Sequence, residues 1–457
     1  MKKEKKASIW EKSDPQALQN FCEDYRLFLG SHKTERENVS GMEAILRSVG
    51  ARTLSEVIQS GAMPQAGDLL YENMMKKSLV IFRIGEKSPL EGMRFLGAHI
   101  DSPRMDLKQH PLYENTDLAL FETHYYGGIK KYQWVTLPLA LHGVVAKKDG
   151  SVVDICIGED PSDPVFGVSD LLIHLAGKQM AKKVTEAVTG ENLNILIGSK
   201  PLPSAEKDAV KENILALLKE KYDIEEDDFV SAEIEVVPAG QARDYGLDRS
   251  MIMGYGQDDK VCAYTSFRAI LDIDKPAYTS VCLLTDKEEI GSMGATGMHS
   301  RFYENTLAEL LNVLDCYSEL NLRRVLTKTK VLSSDVSAAF DPNYPEVMEK
   351  NNCAYLGRGP VFNKYTGSRG KSGSNDANAE YLAYLRRVMD EAGIIYQTAE
   401  LGKVDEGGGG TIAYILANLG MEVIDFGVAV LNMHAPWEIT SKADIYEAYL
   451  AYKAFLR

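Results

Sequence analysis

The sequence has few cysteines, and they lack the spacing that thiolate metal sites and redox motifs need. Six cysteines are scattered along 457 residues without any CxxC pair. Regularly spaced cysteines are typical of zinc-thiolate sites and of small disulfide-bonded secreted domains. We therefore expect a reduced, cytoplasmic protein in which most cysteines are buried as small apolar side chains.

Long apolar runs are lacking as well. No run reaches the roughly 20 residues that a membrane-spanning helix needs. The basic opening MKKEKKASIW is followed by charged and polar residues, whereas a secretory signal continues with an apolar stretch of about 7 to 15 residues. Tandem repeats and low-complexity segments are also missing. We therefore expect neither a signal of this kind nor a membrane partner.

The chain has fewer positive than negative side chains, and its formal net charge is −15. The summed field of such a chain repels polyanions and can enrich cations. We therefore expect no nucleic-acid partner.

The rest of the composition predicts a large folded protein. Apolar residues make up 45% of the chain, and 457 residues exceed the usual size of one domain. Apolar residues at helical spacing predict one helix around residues 18–29 and a second at 42–49. From residue 79 onward, strand-like apolar runs alternate with helical patterns. This alternation is typical of an α/β fold with a doubly wound, mostly parallel sheet.

The pattern changes between residues 106 and 243. Short alternating segments broken by Gly and Asp-Gly turns indicate antiparallel hairpins. We predict a helix at 173–188, a mostly helical charged stretch at 204–228, and a strand in SAEIEVVPA. The segment 106–243 therefore reads as an inserted module between two segments of one α/β domain, at 1–105 and 244–457.

The motif GAHIDSP places a histidine at the end of a predicted strand. Open α/β sheets form their sites at the carboxyl ends of strands. His99 and Asp101 are two residues apart on an extended segment, so their side chains project to the same side. A histidine that binds a metal commonly needs a carboxylate partner to fix its tautomer, and Asp101 is a candidate for that role. A solvated turn with a chance histidine is the competing interpretation.

Two acidic pairs follow. Asp258 and Asp259 in YGQDDK precede a predicted helix, where carboxylates also serve as ordinary caps. A pair of divalent ions needs a bridging oxygen ligand, for which Asp258 is our first choice and Asp259 the second. In TDKEEIGS, Glu288 and Glu289 emerge from an apolar strand. Adjacent residues do not easily bind the same ion, so we predict Glu289 as a ligand and Glu288 as the general base.

Asp335 in VLSSDVSAAF and His434 in VAVLNMHAP repeat the arrangement of apolar strand, polar residue and loop. His434 alone would more often be a structural histidine. Five such placements together indicate a metal-dependent hydrolase with two ions.

Two further loops are rich in glycine. DEGGGGTIAYILANLG, at residues 405–420, lacks the Lys-Ser/Thr ending of a nucleotide-binding loop, so contact with a substrate backbone is favoured over a phosphate site. NKYTGSRGKSGSNDAN, at 363–378, either holds a carboxylate, with Lys364 as the candidate, or is a surface connection.

At these motifs the chain resembles the aspartyl aminopeptidase family of co-catalytic zinc metallopeptidases, which includes vacuolar aminopeptidase I and bacterial relatives. The resemblance covers nearly the whole chain. It rests on the aspartate at a helix start and on GAHIDSPR, DKEEIGS, SSDVSAAFDPNY and NMHAPWE, in the family's order and spacing.

The resemblance implies a catalytic α/β domain interrupted by a β-rich dimerisation domain. It also implies two zinc ions per subunit, although cobalt or manganese can also serve. One ion would be held by His99, Asp258 and Asp335, and the other by Asp258, Glu289 and His434, with Glu288 as the base. A histidine of the inserted domain reaches a neighbouring subunit's site in the family, and His174 matches that position. A core histidine is the alternative. Tetrahedral dodecamers are usual.

The expected function is a cytoplasmic aminopeptidase in which a zinc-bound hydroxide attacks the first peptide carbonyl. Family members that prefer acidic N-terminal residues tend to carry a histidine shortly after the ligand aspartate, where this chain has Ala338. The residue preference, acidic or neutral, is therefore open. The alternatives are a two-metal deacylase or carboxypeptidase of the same fold, and a non-catalytic assembly protein.

Overall fold

The computed structural model of the chain describes residues 8–457. The chain forms two compact units. The first contains the described residues up to Asp101, together with Ala242–Met433 and Glu438–Arg457. The second contains Ser102–Gln241 and His434–Trp437. The short segment His434–Trp437 lies in the part of the sequence that we assigned to the second catalytic segment. No helix among the described residues is long and apolar enough to cross a membrane.

The helices of the two units are short to medium in length. In chain order they are α1 (Ile9–Lys12), α2 (Pro15–Ser31), α3 (Glu35–Ser48), α4 (Leu54–Ser60), α5 (Gly177–Met180), α6 (Val184–Ala187), α7 (Ala209–Tyr222), α8 (Gln257–Leu271), α9 (Phe302–Val313), α10 (Glu319–Lys328), α11 (Ala379–Glu391), α12 (Ala413–Asn418) and α13 (Lys442–Leu456).

The strands belong to three sheets. In chain order they are β1 (Arg52–Thr53), β2 (Leu69–Met74), β3 (Ser78–Arg83), β4 (Arg94–His99), β5 (Arg104–Asn115), β6 (Leu118–Tyr126), β7 (Leu139–Ala146), β8 (Val152–Ile157), β9 (Ile195–Gly198), β10 (Ala232–Pro238), β11 (Arg243–Tyr245), β12 (Met251–Gly254), β13 (Ser280–Thr285), β14 (Lys330–Ser333), β15 (Ser337–Ala338), β16 (Val361–Asn363), β17 (Gln397–Ala399), β18 (Glu422–Gly427), β19 (Ala429–Leu431) and β20 (Glu438–Ser441).

The main sheet of the first unit has nine strands in the order β1-β2-β3-β13-β4-β14-β18-β16-β17. Its centre is parallel, because β4 pairs in parallel with β13 and β14, and β14 pairs in parallel with β18. Antiparallel pairs flank this centre, where β3 meets β2 and β13 and where β16 meets β18. The predicted α/β fold with a mostly parallel sheet is confirmed, and the outermost pairs β1-β2 and β16-β17 are again parallel.

Alternate strand residues point to opposite sides of this sheet, so both of its faces are apolar. Helices cover both faces. On β14, Leu332 joins one apolar cluster, which includes residues of α2, α8 and α13. Its neighbour Val331 joins the other, with residues of α9, α10 and α12. The central strands β4, β13 and β14 are therefore mostly apolar along their length, and polar side chains follow where they end.

The first helices follow from local signals. α2 begins with Asp14 as N-cap and Pro15 in its first turn, and Thr34 and Glu37 form a capping box at α3. The apolar residues expected on the inner face of α2 are buried, and they include Phe21, Tyr25 and Phe28. Both predicted N-terminal helices are confirmed, and α3 begins seven residues earlier than the pattern indicated.

A smaller sheet of the first unit positions the start of α8. Its order is β11-β12-β20-β19-β15, with β12 antiparallel to β20. Within the sequence MIMGYG, Met251–Gly254 forms strand β12, ahead of the turn that leads into α8. The turn begins only afterwards, at Tyr255 and Gly256, where Gly256 has φ +70°.

The second unit is built around a six-stranded sheet in the order β8-β7-β10-β5-β6-β9. Its hairpins are antiparallel, as the Gly and Asp-Gly turns indicated, and SAEIEVVPA forms β10. The continuous helix predicted at 173–188 is wrong. That stretch contains a short 3-10 helix and the single-turn helices α5 and α6, with most side chains exposed. Apolar spacing suggested a helix, but these side chains do not pack into the unit's own core.

Candidate metal centre

The imidazole of His99 lies at the carboxyl end of β4 and is 1% exposed. Its Nδ1 is 3.1 Å from the backbone oxygen of Asp101 and 3.3 Å from the Asp101 carboxylate. Since both neighbours are acceptors, Nδ1–H is the donor, and Nε2 is the ring nitrogen that faces the other candidate ligands. Nε2 lies 3.1 Å from Asp258 Oδ1.

Asp258 and Asp259 lie in the first turn of α8 but have non-helical backbone angles, and the peptide bond between them is cis. The two side chains have different neighbours. Asp258 contacts His99 Nε2, whereas Asp259 Oδ2 accepts a hydrogen bond from the His99 backbone N–H at 3.4 Å. The structure therefore places Asp258 towards the candidate ligands and Asp259 behind the strand end that carries His99.

Asp335 lies two residues beyond the end of β14, the strand beside β4. His99, Asp258 and Asp335 each offer a ligand atom, these atoms lie within 4.8 Å of one another, and all three residues are buried. Imidazole nitrogen and carboxylate oxygen are normal zinc ligands.

The electrostatics of this group fit a cation. Burial raises the pKa of Asp335 well above its usual range, and the charges of Glu288 and Asp258 raise it further, against the opposing effect of His99. Burial lowers the pKa of His99, but Asp101 and Asp258 outweigh this effect, so the pKa rises well above its usual value. Two buried carboxylates this close cost free energy unless a cation offsets their charge.

Glu288 and Glu289 form a short 3-10 helix with Ile290, just beyond the end of β13. Their ligand atoms lie within 4.8 Å of each other and of His99. The parallel order β13-β4-β14 explains this grouping, because the carboxyl ends of these strands share one edge of the sheet.

The carboxylate of Asp101 holds the glutamate pair by its backbone. Asp101 Oδ1 accepts a hydrogen bond from the Glu288 N–H at 3.1 Å, and Oδ2 accepts one from the Glu289 N–H at 3.2 Å. Asp101 therefore contacts both the imidazole of His99 and the backbone of the two glutamates. Of these two contacts, the sequence predicts only the one with the imidazole.

The rest of the glutamate loop is held by an ion pair. Lys287, which has φ +68°, places Nζ 2.6 Å from Asp286 Oδ2 and 2.8 Å from Thr296 Oγ1. The Thr296 hydroxyl also donates to Asp286 Oδ2. These contacts close the loop on itself behind Glu288.

His434 lies in the short segment of the second unit. It is half-buried, has φ +65°, and its Nδ1–H donates a hydrogen bond to the Gly128 carbonyl at 2.9 Å. This contact places a proton on Nδ1, so a neutral His434 ring has its electron pair on Nε2.

The structure does not gather two other predicted residues into this centre. His174 is exposed, in the 3-10 helix Ile173–Leu175 of the second unit. Lys364 forms an ion pair with Asp376, which also binds Lys371, so its ammonium group is held within its own loop.

The glycine run packs against the loop at 363–378. Gly408 has φ +128°, and a Cβ on it would lie 2.4 Å from Ser368 Cα. The Gly409 N–H donates to the Thr366 carbonyl at 3.2 Å. Close approach of two backbones therefore accounts for glycine at position 408, and contact between this run and a substrate stays a prediction.

Sequence reasoning missed Asp425, a buried aspartate inside β18. It lies opposite Ser333 in the parallel register, two residues before Asp335. Burial raises the pKa of Asp425 to about 6, partly offset by the Thr411 and Ser333 hydroxyls. Its charge in turn contributes to the raised pKa of Asp335. A lone aspartate within the apolar run MEVIDFGVAV was the available signal.

Comparison with known proteins gives consistent matches. The profile described as aminopeptidase I zinc metalloprotease (M18) matches residues 28–456. A probable M18 family aminopeptidase 1 from Clostridium acetobutylicum is 60% identical over 98% of this chain and 97% of its own length.

Solved structures match over the full length as well. The crystal structure of an M18 aminopeptidase from Thermotoga maritima covers 100% of both chains, with a TM-score of 0.96 and 45% identity. The mApe1 dodecamer of S. cerevisiae covers 96% of each chain with a TM-score of 0.76. At 18% identity it supports the fold alone.

Proposed function

Because the chain belongs to the aminopeptidase I (M18) family of zinc metalloproteases and is a metal-dependent aminopeptidase, we propose which of its side chains hold the metal and which one moves the proton. The first zinc ion is held by His99, Asp258 and Asp335. The observation that carries this assignment is the buried clustering of these three ligand atoms within 4.8 Å.

A second zinc ion shares Asp258 with the first and is also held by Glu289 and His434. The fixed tautomer of His434, with Nδ1 bonded to the Gly128 carbonyl, supports its role as a ligand through Nε2. A carboxylate that two cations share is well suited to offset their mutual repulsion. This gives two ions per subunit.

When bound, zinc polarises the scissile carbonyl and acidifies water. Glu288 is the general base, because its carboxylate lies beside the ligands, 3.9 Å from His99 Nε2, and is half-buried. It takes a proton from the attacking water and delivers it to the leaving amine. Asp101 holds the Glu288 backbone in place for this transfer and keeps the His99 imidazole oriented.

The substrate is a peptide with a free N-terminus. Ala338, in β15, occupies the place where acid-preferring relatives carry a histidine, so the chain lacks that side chain for an acidic residue. We propose a neutral or broad residue preference.

The test is a panel of chromogenic substrates with acidic, neutral and basic N-terminal residues, assayed with zinc, cobalt or manganese. N-terminally blocked versions are the controls. Hydrolysis of free but not of blocked substrates supports the proposal, and equal hydrolysis of both would contradict it. Exclusive cleavage of acidic residues would overturn the proposed preference.

We also propose that the chain self-associates through the second unit. The stretch around the α5 and α6 turns exposes several apolar side chains that a partner would cover: Leu171, Leu172, Ile173, Leu175, Met180 and Val184. Exposed apolar surface of this kind is typical of interfaces. The solved structure from S. cerevisiae is a dodecamer. The first arrangement to test is therefore a dodecamer built from dimers. His174 lies within this stretch and is proposed to contribute to a neighbouring subunit's site.

A cytoplasmic location stays a prediction. All six cysteines are free in the described chain. Labelling the denatured protein under non-reducing conditions should modify six thiols per chain, and a low count would contradict a reducing compartment.

A further inference from the structure

The buried carboxylate of Glu438 contacts the backbone of Asp258, the aspartate proposed to bind both metal ions. Glu438 is the first residue of β20 and is 1% exposed. Its Oε2 accepts a hydrogen bond from the Asp258 N–H at 2.9 Å. Glu438 is not one of the proposed ligands, so it acts on the centre through its contact with Asp258.

The pairing of β12 with β20 determines this contact. Gly254, the last residue of β12, lies opposite Glu438 in the antiparallel register. The chain then turns at Tyr255 and at Gly256, which has φ +70°. The Glu438 side chain spans this turn and reaches the amide of Asp258.

The side chain of Gln257 fixes the same turn from within. Its Nε2 donates to the backbone oxygens of Ile252 at 2.8 Å and Glu438 at 3.1 Å. Its Oε1 accepts a hydrogen bond from the buried hydroxyl of Tyr25 at 3.0 Å. The residue before Asp258 is therefore held by three hydrogen bonds, and Asp258 itself by Glu438.

Asp258 needs such an acceptor because of its backbone conformation. With φ −78° and ψ +106°, it lies outside the regular helix that follows it. A buried N–H without a partner is costly, so the native position of Asp258 depends on an acceptor at this place. Glu438 supplies one on a strand, which is a more rigid support than a loop.

We propose that Glu438 is a positioning residue that fixes the backbone of Asp258, so that its carboxylate can serve two metal ions. This inference rests on the proposed role of Asp258 as the shared ligand. Groups that orient a metal ligand typically contribute 10- to 100-fold to metal affinity.

The experiment makes the same Glu-to-Met substitution at two different positions of the full-length, zinc-depleted protein. Glu438→Met keeps the side-chain length but removes the acceptor. Glu447→Met is the matched control, because Glu447 is also buried and accepts the backbone N–H of Ile395 at 2.6 Å, together with a hydrogen bond from Lys12. Zinc affinity is measured by competition with a chromophoric chelator, and the melting temperature is measured alongside.

We expect Glu438→Met to weaken zinc binding about 10- to 100-fold, while Glu447→Met lowers the melting temperature and keeps wild-type affinity. Unchanged affinity in Glu438→Met, or an equal loss in both variants, would overturn the proposal.

Two conservative variants keep the test decisive if Glu438→Met does not fold. Glu438→Gln keeps an acceptor oxygen at the same reach and should retain most of the affinity. Glu438→Asp keeps the charge but is one methylene shorter, so it should lose affinity as Glu438→Met does. Wild-type binding by Glu438→Asp would refute the positioning role. Failure of the wild-type protein to bind zinc would instead refute the proposed metal centre.

Discussion

Replacing Asp101 with asparagine should reduce both catalysis and stability. The Asp101 carboxylate accepts the N–H groups of Glu288 at 3.1 Å and Glu289 at 3.2 Å, and it lies 3.3 Å from His99 Nδ1. Asparagine has a single acceptor oxygen, and its NH2 group would face one of these donors. One amide then loses its partner.

The magnitude follows from these contacts. An unsatisfied, partly buried amide costs about 1–3 kcal/mol of stability. Freeing the Glu288 backbone misplaces the general base, and a shift of about 1 Å costs on the order of 100-fold in rate. We therefore expect Asp101→Asn to lower kcat on the order of 100-fold with little change in KM, since no contact to substrate is removed.

The assay is steady-state hydrolysis of an N-terminal chromogenic substrate by zinc-saturated protein, together with denaturant unfolding. Asp444→Asn is the control, because Asp444 is also buried and accepts two amides, those of Gly357 at 2.7 Å and Gly359 at 2.6 Å. It should lose stability and keep its kcat. Wild-type kcat in Asp101→Asn, or an equal loss of kcat in the control, would refute the reasoning.

Three other predictions concern the pH dependence, the shared ligand and the interface. The pKa of Asp425 is raised from 3.8 to about 6, so its contribution to stability is full below about pH 4 and is lost as the pH rises through 6. At about 1.4 kcal/mol per pKa unit, this loss of stability is about 3 kcal/mol. In denaturant unfolding, Asp425→Asn should therefore lose less stability than wild type between pH 4 and pH 7. Parallel plots of unfolding free energy against pH for the two proteins would contradict this. Asp258→Ala should bind neither ion tightly, and elemental analysis finding wild-type zinc would exclude a shared ligand. Ile173→Asp should lower the mass of the assembly measured by light scattering. The control Leu217→Asp, at a residue that is also exposed in the second unit, should leave the mass unchanged. An unchanged mass for Ile173→Asp would contradict the proposed interface.

The sequence made the main sheet and its polar strand ends predictable. Apolar runs that stop at His99, at Glu288 and at Asp335 imply strand ends, and parallel strands bring such ends to one edge. In the structure, Glu288 and Asp335 each place a carboxylate oxygen within 4.8 Å of a ring nitrogen of His99.

Other features depend on tertiary contacts that leave no local pattern. The stretch at 173–188 has helical apolar spacing, yet its side chains are exposed, because spacing does not specify what a face packs against. Asp425 and Glu438 act across strand pairs that are distant in sequence, so neither role could be inferred from the neighbouring residues. The hydrogen bonds from the Glu288 and Glu289 amides to Asp101 likewise depend on the register between β4 and β13, which the sequence alone does not show.

Zinc content and turnover of Glu288→Gln, measured on the same preparation, test the central claim most directly. Glutamine keeps the shape of the side chain but cannot accept the proton, and Glu288 is not one of the proposed ligands. We predict two zinc ions per subunit, as in wild type, with turnover reduced by about 100- to 10,000-fold. Retained turnover would contradict the role of Glu288, and loss of zinc would contradict its separation from the ligand set.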